Sequence, residues 1–204
     1  MRAGLGRTRH FLILAACIAS SQAAPCRAAT VEGALGGMVG RPVGSELSDV
    51  YPWLAGLALD VRIRHSPHLS LSIQVAPVLG RGTPHAGSLA EDPEGQLLLL
   101  PGYLLVEYSH GRGPWQPYVG AGVGAVYVSE RLSFMSPAGT KEPSVSATRL
   151  AFDVLVGVER LARTTPFAEL HYQHAGLSGV EEQSGSGVNL SSLQVRFGVR
   201  TRLK

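Results

Sequence analysis

The feature that most constrains this chain is a strict alternation of apolar and polar residues that recurs in long segments. In the C-terminal stretch Leu193, Val195, Phe197, Val199, Thr201 and Leu203 fall on one face of an extended chain. Gln194, Arg196, Gly198, Arg200 and Arg202 fall on the other. Successive side chains of a strand point to opposite sides, so a period of two marks a strand with unlike surroundings on its two faces. From Trp53 to Arg64 the apolar set is Trp53, Ala55, Leu57, Leu59, Val61 and Ile63, opposed by Asp60, Arg62 and Arg64. Leu150, Phe152, Val154, Val156 and Val158 likewise oppose Arg149, Asp153, Gly157 and Glu159, and Leu69, Leu71, Ile73 and Val75 oppose Ser70, Ser72 and Gln74.

Eight such segments are predicted, at 30–40, 53–64, 69–80, 97–109, 116–128, 148–160, 167–175 and 190–203. Most are much longer than the usual soluble strand of about 5 or 6 residues, and they match the roughly 9 to 11 residues that a tilted strand needs to cross a bilayer. The connections alternate too. Residues 65–68, 110–115 and 161–166 make short links, whereas 41–52, 81–96, 129–147 and 176–189 make long ones. Short turns at one rim, long loops at the other and an even strand count are the build of a bacterial outer-membrane barrel. The expectation is therefore an all-β fold: an eight-stranded antiparallel up-and-down transmembrane β-barrel over residues 30–204, with short periplasmic turns and long extracellular loops. A soluble sandwich or lipocalin-like barrel would also alternate, but it would bury the apolar face.

The N-terminus agrees with export. Arginines at 2, 7 and 9, an apolar run from Phe11 to Ala19 and a small-residue segment have the layout of a signal peptide over residues 1–28, too short to span a bilayer. Cys17, in "LAAC", also matches a lipoprotein-type box. The cysteines are Cys17 and Cys26, so the mature chain has no internal disulfide to hold it. A closed sheet satisfies its own backbone and needs none. The formal net charge is +3 with scattered arginines, which leaves no footprint for nucleic acid.

In such a barrel Glu32, Asp60, Arg62, Arg64, Gln74, Glu107, Arg149, Asp153, Glu159, Glu169, His171, Gln173, Arg196, Arg200 and Arg202 face the lumen. Eight strands enclose a space that side chains can fill, so these charges are expected to pair and plug it. Gly120, Gly122 and Gly124 share one face and make room for bulky lumen neighbours. Tyr51, Trp53, Tyr103, Tyr108, Trp115, Tyr118, Tyr127 and Tyr172 are candidates for the aromatic girdles. No cofactor or metal site is predicted: His171 and His174 lie on opposite faces of one strand and cannot converge on an ion.

The stretch "RGPWQPYVGAGVGAVYV" resembles small outer-membrane barrels of the outer-membrane-protein-A and opacity-protein kind. The C-terminal hairpin, "FAELHYQHAGLSGVEEQSGSGVNLSSLQVRFGVR", resembles the lipid A 3-O-deacylases. That family is characterised by a His-x-Ser-Asn motif in the penultimate strand and an acid about fourteen residues after the histidine. The resemblance implies an esterase site on the lipid-facing surface with His174 as base. Gly176 stands where the family has its serine, and Val188 and Asn189 lie where it has its acid. Ser178 is the nearest hydroxyl downstream, with Glu181 and Glu182 as available acids. His171, beside Glu169 and Gln173, is read as a hydrogen-bonded interior histidine.

Three functions compete on these residues. The first is a non-catalytic barrel contributing to envelope structure or presenting its loops, located in the cell outer membrane. The second is a lipid A deacylase-like esterase using His174, Ser178, Glu181 and Glu182. The third is a soluble periplasmic barrel for a hydrophobic ligand. The first two predict a monomer whose partners are outer-membrane lipids, lipopolysaccharide among them, and the barrel assembly machinery.

Overall fold

The computed structural model describes residues 29–43, 45–83, 94–111, 113–136, 139–141, 144–177 and 190–203. The expected signal peptide, Cys17, Cys26, Ser178, Glu181 and Glu182 lie outside the described residues. Among the described residues there are ten strands: β1 (Thr30–Pro42), β2 (Leu54–Arg64), β3 (Leu69–Val75), β4 (Val78–Gly82), β5 (Glu94–Ser109), β6 (Trp115–Ser136), β7 (Gly139–Lys141), β8 (Ser144–Arg160), β9 (Thr164–Leu177) and β10 (Ser192–Arg202). β3 and β4 form a single stave, interrupted at Ala76–Pro77 because proline has no N–H to give the ladder. β7 pairs with the end of β6 alone and stands outside the wall.

The remaining eight staves pair antiparallel with their neighbours, and β1 pairs with β10 from Glu32↔Arg202 to Pro42↔Ser192 to close the sheet. The predicted eight-stranded barrel is the observed fold. Its outward face is apolar: Leu35, Leu57, Leu59, Ile73, Leu104, Val123, Val156 and Phe197 are all exposed. Water-soluble monomers rarely expose so continuous an apolar belt, and a bilayer is the environment that matches it. Among the described residues no helix is long and apolar enough to cross a membrane.

Several expectations are corrected. The segment 129–147 is not a loop: β6 runs on to Ser136 and β8 begins at Ser144, with Arg131↔Ser144 in register. Their mixed side chains read as loop, yet the backbones still pair with one another. The segment 41–52 contains a short helix, α1 (Ser45–Val50), whose Leu47 and Val50 sit three positions apart and pack on the barrel's buried cluster. Tyr51, Tyr103 and Tyr118 are not girdle residues but are buried inside. Trp53, Tyr108, Trp115, Tyr127 and Tyr172 do face outward. Arg149 is only half-buried and Arg202 is exposed at the barrel end, beyond the packed lumen.

The interior has two storeys. Towards the short turns it is ionic. Towards the long-loop end Met38, Leu54, Ala76, Val78, Leu97, Leu99, Tyr103 and Val126 form an apolar cluster capped by Tyr51. The Tyr51 hydroxyl donates to Glu130 Oε1 at 2.6 Å; burial and that carboxylate push its phenol well above the usual tyrosine range. The glycines of β6 behave as expected. A Cβ on Gly122 or Gly124 would run into the β5 backbone and the side chains of Leu105 and Tyr103, so larger residues are barred there.

Candidate functional site

Two clusters of chemistry-bearing side chains result, one inside the wall and one on it. Inside, Glu159 of β8 accepts hydrogen bonds from Arg62 Nη1 at 3.0 Å and Arg64 Nη2 at 2.7 Å on β2, and from Arg200 on β10. Arg200 Nη2 also donates to Asp60 Oδ2 at 3.2 Å, and Arg62 pairs with Glu107. Arg196 Nη1 lies 3.4 Å from Glu169, and Tyr118 donates its hydroxyl to the same carboxylate. The guanidinium groups of Arg196 and Arg200 stack over Phe167 at 5.0 and 4.8 Å. The Glu159 contacts reach from β8 to β2 and β10 on other sides of the barrel, whereas Arg196–Glu169 joins direct neighbours on β10 and β9.

His171 belongs to this network, as the sequence predicts. Its Nδ1 is 2.8 Å from Asp153 Oδ2 and its Nε2 is 3.0 Å from Glu169 Oε2, with the ring fully buried. Both ring nitrogens are engaged by carboxylates, which leaves none to accept a proton from a substrate or to bind a metal. Among the described residues no group of three or more His, Cys, Asp or Glu is arranged to hold a metal ion.

His174 is the other histidine, and it lies on the outward face with Leu170 and Tyr172, near the long-loop end of β9. Its ring packs against Phe152 with centroids 5.0 Å apart. Its Nδ1 is 2.6 Å from Ser191 Oγ, just before β10 begins. On the other side of the ring lies Gly176: a Cβ built there would stand 3.1 Å from Nε2. Gly176 is the extra residue of a β-bulge, because Ala151 pairs with Ala175 while Leu150 pairs with Leu177. The ring is therefore held by a hydroxyl at Nδ1, and among the described residues no nucleophile stands at Nε2.

Of the predicted site residues, His174 is thus on the lipid-facing surface as expected. Ser191 was missed. Its signal was available in the register: setting Glu169 against Arg196 as a charge pair aligns β9 with β10 and brings Ser191 across from His174, one step past Gln173↔Ser192. Ser191 is only 2% exposed, so an ester carbonyl does not reach its Oγ in this arrangement.

No family model matches the sequence, and no curated protein is similar to it. Solved structures are similar in fold. Ail, the attachment invasion locus protein of Yersinia pestis, solved with the heparin analogue sucrose octasulfate, superposes with a TM-score of 0.53 at 14% identity, over 84% of this chain and 97% of that one. The outer membrane protein OprG of Pseudomonas aeruginosa does so with a TM-score of 0.54 at 14% identity, over 87% of this chain and 97% of that one. OprG is described as an outer membrane protein, and both superpositions show the shared barrel fold. By fold, the chain is a small outer-membrane β-barrel, and the outer membrane is where it resides.

Proposed function

We propose that this barrel is non-catalytic and is no conduit: it serves envelope structure or makes contacts through its long-loop rim. The observation that carries this is the Glu159–Arg62–Arg64–Arg200–Asp60 network, which spans the lumen and ties β2, β8 and β10 together. A diffusion pore needs a continuous hydrated path, and a lumen crossed by paired charges offers none. The rim is the part free to meet partners. α1 and the β6–β8 extension both lie there. The same fold carries contact functions elsewhere, since Ail is by name an attachment protein; that parallel is one of fold only. Reconstituted in a planar bilayer, the protein is expected to give no steady single-channel conductance. A stable open level in a preparation verified as folded by its heat-modifiable gel shift would overturn the reading.

A second reading is a lipid A 3-O-deacylase-like esterase at the lipid-facing surface, and the His174–Ser191 hydrogen bond is what favours it. A serine hydroxyl 2.6 Å from an imidazole nitrogen is within reach of general-base activation. Two features weigh against it: Ser191 is covered, and the imidazole's free side faces a glycine. Mass spectrometry of lipid A from cells expressing the protein decides. Loss of an acyl chain that is abolished by both His174→Ala and Ser191→Ala would establish the esterase, and an unchanged acyl pattern at high barrel levels would exclude it.

A further inference from the structure

At the short-turn end, two concavities meet on the β1–β10 seam. One is a cavity of about 460 Å³ in the barrel mouth, floored by Arg64 and Arg200 and flanked by Arg163 and Arg202. Glu32 is the carboxylate in its lining, and it is already bonded to Arg64 at 3.2 Å. Arg163 and Arg202 are exposed and have no ion partner among the described residues, and the buried Nε of Arg200 has no acceptor. The mouth therefore presents a surplus of guanidinium donors to whatever lies at that membrane face.

The second concavity lies on the outer wall immediately above. It is an apolar groove of about 700 Å³ bounded by Leu35, Leu59, Val61, Ile73, Val199 and Leu203, with Gly33 leaving its lower end open. Thr201 lines both spaces, and the alternation of β10 sends Arg202 to the mouth and Leu203 to the groove. One residue thus separates a cationic recess from a chain-sized apolar one, across the boundary where lipid headgroup gives way to acyl chain.

We propose that this corner is a binding site for one anionic phospholipid of the periplasmic leaflet, with its phosphate against Arg163 and Arg202 and an acyl chain in the groove beside Gly33. Guanidinium forks match phosphate oxygens, and two of them unneutralised at a membrane surface favour an anionic over a zwitterionic headgroup. The groove supplies the second attachment, which distinguishes a lipid from a free anion of the same chemistry. The inference rests on the barrel spanning the membrane with its short turns periplasmic; it is independent of whether the lumen conducts.

The test is native mass spectrometry of the folded full barrel, released from a zwitterionic detergent and titrated with phosphatidylglycerol, with phosphatidylcholine of the same chains, and with inorganic phosphate. Phosphatidylglycerol is expected to be retained in preference to phosphatidylcholine. Retention should fall on the order of tenfold in the Arg163→Gln/Arg202→Gln double variant, whose sites lie at the exposed barrel end and leave the fold intact. Gly33→Leu should weaken it comparably by filling the groove; a Cβ there meets Leu203 at an ordinary 3.4 Å, so the wall tolerates it. The heat-modifiable gel shift checks that each variant is folded. Equal retention of the two lipids, or full retention by the double variant, would overturn the proposal. So would inorganic phosphate displacing the lipid while Gly33→Leu binds as the wild type does, because the mouth would then be a site for free oxyanions.

Discussion

Glu159 is the carboxylate on which the arginine hydrogen bonds of the interior converge. Three arginines from two staves donate to it, and it is wholly buried. Removing one partner of a buried ionic cluster leaves the others uncompensated, at a cost of about 3–5 kcal/mol. Glu159→Ala is accordingly expected to lower the urea unfolding free energy of the folded barrel by that amount, and a loss below about 1 kcal/mol would mean that water reaches Arg62 and Arg200. At His174 the expectation concerns gain. Gly176→Ser would set a hydroxyl beside the imidazole's open Nε2 while Ser191 holds Nδ1. Appearance of hydrolysis of a soluble nitrophenyl ester, absent in Gly176→Ala, is the predicted outcome, and equal inactivity of both would show that the ring is not poised to activate a nucleophile. The sequence made His174 legible through its place in the strand. Ser191 was hidden because it becomes a neighbour only once the hairpin register is known.

The staves were legible almost to their ends, since a bilayer imposes one apolar face on each strand for its whole crossing. What alternation cannot mark is where a strand leaves the lipid. β6 and β8 run on past the predicted staves as a paired extension whose sequence is mixed in character, and the same composition reads as loop. α1 escaped notice for a related reason: one and a half turns give too few residues for a helical period to declare itself. The depth of the extension can be measured directly. Val154, which faces lipid well within β8, should cost about 2–4 kcal/mol on substitution by Arg, whereas Val145, 69% exposed in the extension, should cost about 0–1 kcal/mol. Unfolding of the two variants in the same lipid gives the comparison, and equal costs would place the extension inside the bilayer.

On the scale of the whole molecule, parity told which residues face inward but not how they divide along the axis. Leu105 and Leu155 share a face with Glu107 and Asp153, and strand pattern alone treats them alike. The registers place most of the charges towards the turns and most of the apolar cluster towards the loops, and they interleave the two on β8, where Asp153 stands on the loop side of Leu155. The division bears on how the barrel is made. Asp60 and Arg200, which meet in the network, are separated by 140 residues of chain, and the seam between β1 and β10 joins the first and last staves. Until that seam closes, the acids and arginines of the ionic storey have no complete set of partners, and an open sheet would turn them towards hydrocarbon. Partly inserted forms are thereby penalised, so membrane entry and barrel closure are coupled into a single slow, cooperative step governed by the most distant contact in the chain.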